Sequence, residues 1–469
     1  MTKLLGAYLF PHPPIIVEEI GKGQEKEAEK TIIGVKSLAK DIGIKKPTTI
    51  ILITPHGPVF SDAIAVSCEK KLEGSFKDFG RGDLKFKFTN NIELVNKIIR
   101  NAGKAGIAVA AVNKEFALNY RIKTEVDHGA LVPLSFVNKK HENYKLVHIT
   151  YGLIPQLDLY KFGTIIQDAV LDSEEEIVFI ASGDLSHRLS NKGPYSYSPD
   201  GKVFDQKIVK YLKNKDFESI ASFDTSLGER AGECGLRSLI IMTGFLDGLN
   251  VDTKVYSYEG PFGVGYCTAK IDIKGRDSSK EIYNDLIEKK ENKLKDIRKR
   301  ENEYVSLARK SLEYYIKNKK EMKIPDNISK ELISEKAGVF VSIKKDGKLR
   351  GCIGTIEAVH SSIAEEIIKN TISAGTRDPR FPMVSKNELG SLVYSVDVLK
   401  EAEKIDSIDE LDVERYGIIV SKGFKKGLLL PNLEGINTPK EQIQIALEKA
   451  NIREDEDYII ERFEVERHI

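Results

Sequence analysis

The sequence predicts an α/β amino-terminal domain, with a mixed, largely parallel sheet and helices on both faces, followed by a smaller α+β carboxy-terminal domain. Three observations predict it. Over the first 272 residues, short apolar β-branched runs alternate with helical patterns, the signature of strands covered on both sides. A dense stretch of Lys, Glu, Asp and Arg then interrupts the chain at 276–300. Beyond it, hairpin and helix signals follow one another without a strand–helix–strand alternation.

The elements follow in order. Strands are expected at 4–10, 48–54, 144–150 and 176–181, where runs such as Ile50-Ile51-Leu52-Ile53 leave no polar face. Helices are expected near 26–39, 93–102, 203–212 and 235–246. Residues 254–273 read as strand, Gly-rich turn and strand. The turn Gly260-Pro261-Phe262-Gly263-Val264-Gly265 lacks phosphate-loop spacing and opens no helix. In 276–300 a thin apolar line through Ile282, Leu286, Ile287, Leu294 and Ile297 marks a helix with one narrow buried stripe. The domain plan is therefore 1–272, a charged helical linker at 273–302, and 303–469. In the last segment, 303–317 is helix-like, and 337–343 and 349–356 form a hairpin across Asp346-Gly347, since Asp-Gly supplies the positive φ of a tight turn. Strands follow at 392–399, 417–421 and 427–430. A closing helix at 439–450 has Thr438 as its N-cap before Pro439.

Composition narrows the function classes. The chain has 469 residues, 41% hydrophobic and 30% charged, with 72 basic against 71 acidic residues. That balance exerts no global pull toward nucleic acid or an anionic membrane. No apolar run approaches the ~18 residues of a membrane span. Four scattered cysteines without a C-x-x-C pair argue against a disulfide framework and fit a cytoplasmic protein.

Six of the eight histidines fall within the first 187 residues. His12 follows the first strand, His56 the second, and His187 comes shortly after a third. Ligands of open α/β sheets bind beyond the carboxyl ends of strands, so these imidazoles can converge. His128, in Glu125-Val126-Asp127-His128-Gly129, sits in a polar, loop-like stretch. His141 and His148 read as surface and strand residues. Imidazole is both a metal ligand and a proton carrier near neutrality. A third, anionic ligand is offered by Gly232-Glu233-Cys234-Gly235, ahead of an apolar helix. Neighbouring residues point about 100° apart on a helix, so one of Glu233 and Cys234 faces the ion. Glu259 is a lesser alternative. Two histidines and a carboxylate suit non-haem Fe(II); the same set also suits zinc.

The first domain resembles the LigB-type class III extradiol ring-cleavage dioxygenases and the related Memo family. The matching pieces are Pro11-His12-Pro13-Pro14, Thr54-Pro55-His56-Gly57, Asp127-His128-Gly129, Gly183-Asp184-Leu185-Ser186-His187, and Ser198-Pro199-Asp200-Gly201 with Phe204-Asp205. The resemblance implies His12 and His56 as iron ligands, His187 as the base that deprotonates a catecholic hydroxyl, and His128 as an acid or oxygen-stabilising group. For the third ligand it implies a glutamate in ring-cleaving members and a cysteine in Memo proteins. Glu233 is favoured here, with Cys234 the alternative.

The second domain resembles the AMMECR-type family through Leu349-Arg350-Gly351-Cys352-Ile353-Gly354 and Thr376-Arg377-Asp378-Pro379-Arg380. Arg350, Cys352 and Arg377 are its candidate site, with the arginines as anion binders. Cys352 can equally be a packed strand cysteine, and 377–380 an internally paired loop. Bacterial members of both families occur with radical-SAM proteins, which implies such a partner. The expectation is a non-haem iron, dioxygenase-like oxidoreductase with a small-molecule substrate, an aromatic one among the options, fused to a ligand- or partner-binding module. The alternatives are a metal- or peptide-binding accessory of a radical-SAM system, and a zinc hydrolase.

Overall fold

A computed structural model describes residues 3–433 and 435–469. The chain divides into two compact units, 1–289 and 290–469.

The amino-terminal unit is built on a ten-stranded mixed sheet. Its strands are β1 (Leu4–Phe10), β2 (Thr49–Thr54), β3 (Ile64–Ser67), β4 (Lys71–Phe76), β5 (Arg81–Asn90), β6 (Val109–Val112), β7 (Lys145–Thr150), β8 (Ile177–Ser182), β9 (Leu249–Glu259) and β10 (Tyr266–Arg276). The spatial order is β4-β5-β7-β2-β8-β1-β10-β9, with β3 beside β7 and β6 beside β3. The centre, from β5 to β1, is parallel. The hairpins β4–β5 and β9–β10 flank it antiparallel.

The continuous apolar runs have a direct cause. On β2, Ile51 and Ile53 enter one core, packed with helices Gln156–Leu171 and Leu236–Phe245. Ile50 and Leu52 enter the opposite core, with helices Glu29–Lys45 and His128–Asn138. All four side chains are 0% exposed, and each contributes roughly 1.5–3 kcal/mol of burial. Helices thus cover both faces, and the carboxyl ends of β1, β2 and β8 are held from two sides.

Two features depart from expectation. The stretch after Asp127 is not a loop: His128 is the first residue of helix His128–Asn138, whose residues Gly129 to Val137 are all buried. A helix surrounded by core carries no amphipathic period, and Pro133 within it adds a local signal against helix. The helix Gln156–Leu171 also lies where no element is expected.

The carboxy-terminal unit contains two four-stranded antiparallel sheets among its described residues. One comprises β11 (Val339–Lys345), β12 (Lys348–Gly354), β13 (Leu392–Leu399) and β18 (Val465–His468), in the order β12-β11-β13-β18. The other comprises β14 (Glu403–Lys404), β15 (Gly417–Lys422), β16 (Lys425–Leu429) and β17 (Ile459–Phe463). Asp346 and Gly347, with φ of 51° and 79°, make the two-residue turn of the β11–β12 hairpin. Helices Glu303–Asn318 and Ile363–Thr376 cover the first sheet. Helix Pro439–Ala450, capped by Thr438 and Glu441, covers the second. Among the described residues no helix is long and apolar enough to cross a membrane.

Candidate metal centre

Three imidazoles from separate segments meet beyond the sheet's carboxyl edge. One ring nitrogen from each of His12, His56 and His128 lies within 4.8 Å of the others. The environment grades from His12, which is buried, through His128 to His56, which is exposed, so the cluster sits at the mouth of the core.

His12 is the best fixed. Its backbone N–H donates to Asp184 Oδ1 at 2.8 Å. Its Nδ1 lies 2.9 Å from Ser182 Oγ. The Ser182 hydroxyl donates its one proton to the Gly129 carbonyl. Ser182 Oγ must therefore accept from His12 Nδ1–H, which leaves the lone pair on Nε2. That Nε2 is 2.9 Å from His56 Nε2 and 3.6 Å from Cys234 Sγ. Two nitrogens bound at right angles to one ion at about 2.0–2.1 Å would be about 2.9 Å apart.

Ring orientation separates the three histidines. His12 and His56 cross at 84°, so their in-plane lone pairs converge. His56 and His128 stack at 4.3 Å with only 23° between planes. His12 crosses His128 as well, at 82° with ring centroids 5.7 Å apart. His128 completes the three-histidine group, with Phe79 edge-on to it at 5.1 Å.

Glu233 and Cys234 divide as neighbouring residues should. Cys234 Sγ faces His12 and also accepts from the Asp184 N–H at 3.3 Å. Glu233 Oε2 instead accepts the Leu236 N–H at 2.6 Å and caps helix Leu236–Phe245. In this arrangement the Glu233 carboxylate is engaged at the helix terminus, and Cys234 is the one of the two neighbours whose side chain lies against His12. The alternative Glu259 is engaged by the Thr31 N–H and hydroxyl. The carboxylate that does approach is Asp184, whose Oδ2 is 3.9 Å from His12 Nε2.

The juxtaposition of Asp184 and Cys234 depends on a backbone contact. A Cβ on Gly183 would stand 2.2 Å from Gly235 Cα. The loop after β8 and the entry to helix Leu236–Phe245 can touch only because both residues are glycine. The same loop holds His187: its N–H donates to Ala231, and Ser186 N–H donates to the buried Asp205 carboxylate at 2.8 Å. His187 Nδ1 is buried without a partner among the described residues, and its ring stands edge-on to Tyr195.

The electrostatics fit a cation. Burial, and then mutual repulsion, push His12 well below the ordinary imidazole value; the same causes bring His56 down to about 4. Burial also lowers His128 and His187. Acids shift the other way: burial raises Asp184 to about 7, and burial with the Asp184 and Glu233 carboxylates raises the Cys234 thiol. Burial thus drives these six groups toward their neutral forms, and a bound cation would reverse that for Asp184 and Cys234.

Sequence reasoning missed Asp127, His148 and Asp184 as parts of this centre. Asp127 Oδ1 accepts from Thr54 Oγ1 at 2.6 Å, and Oδ2 is 2.9 Å from His148 Nε2. Thr54 Oγ1 in turn accepts the His56 N–H at 3.3 Å. Asp127 and Asp184 sit within the quoted His motifs; His148 gave no signal beyond a lone histidine in a strand.

The second-domain candidates do not assemble as expected. Arg350 is tied to Glu388 through Nε at 3.0 Å and Nη2 at 3.2 Å. Arg377 is the exposed residue that ends helix Ile363–Thr376. The guanidinium beside Cys352 is that of Arg380, whose Nη2 is 3.2 Å from the Cys352 carbonyl. Arg380 also pairs with Asp378 at 2.7 Å, so 377–380 is internally paired.

The three-histidine group, able to hold a metal ion, thus sits at the carboxyl ends of parallel strands in an α/β domain. Residues 6–269 match the family described as the catalytic LigB subunit of aromatic ring-opening dioxygenase, and residues 305–468 match AMMECR1. The chain belongs to the LigB family, with an AMMECR1 domain fused behind. Protein CA_C1420 of Clostridium acetobutylicum is 47% identical over 465 residues, 99% of each chain. A Thermotoga maritima protein is 46% identical over 159 residues, 34% of this chain and 91% of its own. Among solved structures, uncharacterized protein PH0010 of Pyrococcus horikoshii is 35% identical, with a TM-score of 0.33, over 35% of this chain and 88% of its own. Uncharacterized protein JW3007 of Escherichia coli K12 is 13% identical, with a TM-score of 0.39, over 57% and 99%.

Proposed function

We propose that the amino-terminal unit is a non-haem iron oxidoreductase that uses dioxygen on a small aromatic substrate. His12, His56 and Cys234 would hold Fe(II). The ion would supply Lewis acidity and one-electron reactivity toward dioxygen. The chain supplies the rest. Ser182 fixes the His12 tautomer, and Asp127 with Thr54 orients the segment that carries His56. His187, held neutral by burial and with a free ring nitrogen, takes the proton of a substrate hydroxyl. His128, stacked on His56, donates a hydrogen bond to charge developing beside the ion. Phe79 offers a ring edge to His128 and Tyr195 one to His187. The AMMECR1 domain serves as a module for a further ligand or partner.

The observation that carries this reading is the crossing of His12 and His56 beside the Cys234 thiol, in a chain of this family. The test is anaerobic purification with metal analysis, then oxygen uptake with a panel of catechols. About one iron per chain, lost in His12→Ala and His56→Ala, with catechol-dependent oxygen consumption, is expected. Zinc at that stoichiometry with ester or amide hydrolysis would overturn it in favour of a hydrolase. Iron without oxygen uptake would move the domain to the accessory role beside a radical-SAM enzyme.

A further inference from the structure

The metal chemistry leaves one buried carboxylate without a task. Helix Pro199–Asn214 follows the loop that carries His187 and bears Asp205, which is 0% exposed. Asp205 Oδ1 accepts the Ser186 N–H at 2.8 Å, and Oδ2 accepts the Tyr258 hydroxyl at 2.8 Å. Neither donor is charged, and burial outweighs both, raising the carboxyl to about 7. A buried acid held by neutral donors costs stability, so the reason for it lies in what it holds.

It holds the residue before His187. The Ser186 carbonyl accepts the Gly265 N–H at 2.7 Å, and the Leu185 N–H donates to the Gly265 carbonyl at 2.8 Å. The Ser186 hydroxyl donates to the Ala231 carbonyl at 2.8 Å, which also accepts the His187 N–H at 3.2 Å. Two glycines let these parts close. A Cβ on Gly265 would stand 2.0 Å from Asp205 Oδ2, and one on Gly201 2.4 Å from Ser186 Oγ.

His187 lacks the usual anchor of a working imidazole. Such a ring is commonly aimed by a hydrogen bond at its second nitrogen, but His187 Nδ1 is buried without a partner among the described residues. The direction of the ring therefore comes from its backbone and from the Tyr195 edge. The bond that ties this backbone to a carboxylate is that from Ser186 to Asp205. A charge-assisted bond of this kind is about twice as strong as a neutral one.

We propose that Asp205 is the positioning residue of His187: it fixes the Ser186 peptide and thereby aims the imidazole at the substrate. This role rests on that of His187 as the base. Asp205 itself touches neither the ion nor the substrate.

The test follows the full chain at about pH 8, where Asp205 is ionised, by two readouts. Hydrogen exchange with mass spectrometry over residues 184–189 reads the loop without turnover, and oxygen uptake with catechol reads kcat and KM. Asp205→Asn keeps an oxygen but loses the charge; it should exchange about tenfold faster there and lose about tenfold in kcat. Asp205→Ala should change both by about 100-fold. KM and iron content should stay as in wild type. In a His187→Gln background neither variant should lower kcat further. Wild-type exchange and kcat in Asp205→Asn overturn the proposal, whether or not Asp205→Ala folds, as does an equal loss of kcat with and without His187. Full turnover in His187→Gln alone overturns the base reading, and the proposal with it, while leaving the exchange result intact.

Discussion

Asp127 and His148 form a buried hydrogen-bonded pair beneath the histidine cluster, Oδ2 to Nε2 at 2.9 Å. His148 Nδ1 is anchored in turn by Ser67 Oγ at 2.9 Å. Burial opposes a charge on Asp127, but the hydrogen bonds from His148 and Thr54 outweigh it and keep its carboxyl below the usual range. Asp127 also precedes His128 and supports Thr54, so one carboxylate sets two of the three clustered imidazoles. Asp127→Asn and His148→Gln should weaken metal binding about 10–100-fold while retaining the fold. Metal titration followed by circular dichroism checks this, and unchanged affinity in both variants would remove the positioning role.

Cys234 and Glu233 should separate cleanly. Cys234→Ser should lose most of its bound metal with little change in melting temperature. Glu233→Ala should keep the metal but lose its helix cap, at about 1–2 kcal/mol. Denaturant melts with metal analysis on both variants make the comparison, and metal loss in Glu233→Ala with retention in Cys234→Ser would reverse the assignment.

His187→Gln should bind metal as wild type does and lose turnover by about 10²–10⁴-fold. The measurement is oxygen uptake at saturating metal. Loss of metal in this variant would place His187 among the ligands instead.

The Arg350–Glu388 pair gives the carboxy-terminal unit an acid-sensitive component. Although burial opposes it, the Arg350 guanidinium and the Ser385 N–H and hydroxyl bring Glu388 down to about 2. A depressed carboxyl stabilises the fold above its unfolded value of about 4.3, and that contribution disappears as pH falls toward 2. Between pH 5 and 2 the unit should lose on the order of 2–3 kcal/mol from this group. Glu388→Gln should flatten that part of the stability–pH curve in acid melts.

Gly183→Ala should disable the centre without removing a donor. Its Cβ would strike Gly235 Cα, and relief of that contact must part Asp184 from Cys234. We expect destabilisation of about 2 kcal/mol or more together with reduced metal occupancy, seen by thermal melting and metal analysis.

Much of this was readable from residue order. The runs at β1, β2, β7 and β8 announce themselves because both faces are buried, which leaves no polar punctuation within the strand. The Pro-His and Pro-His-Gly segments end those strands, so the meeting of His12 and His56 followed from the parallel topology. The helix at His128 was hidden because a fully buried helix has no polar stripe. That Glu233 reaches its own helix terminus while Cys234 lies against His12 was hidden because two adjacent residues carry the same local signal. At Cys352, proximity of Arg380 arises across separate elements, and no spacing rule encodes it.

The helix Tyr283–Arg300 straddles the division of the chain. Its first turn gives Tyr283 and Leu286, and the residue before it Ile282, to the amino-terminal core, with Tyr283 stacked on Tyr160 at 6.1 Å. Its later turns give Lys290 to Asp346 at 2.6 Å and Arg298 to the Leu389 carbonyl at 3.1 Å. A truncation just after residue 272 would therefore peel an apolar lid from the very unit it was meant to isolate. A fragment extended through Lys289 keeps that lid and is the shorter piece expected to stay soluble and take up metal by itself.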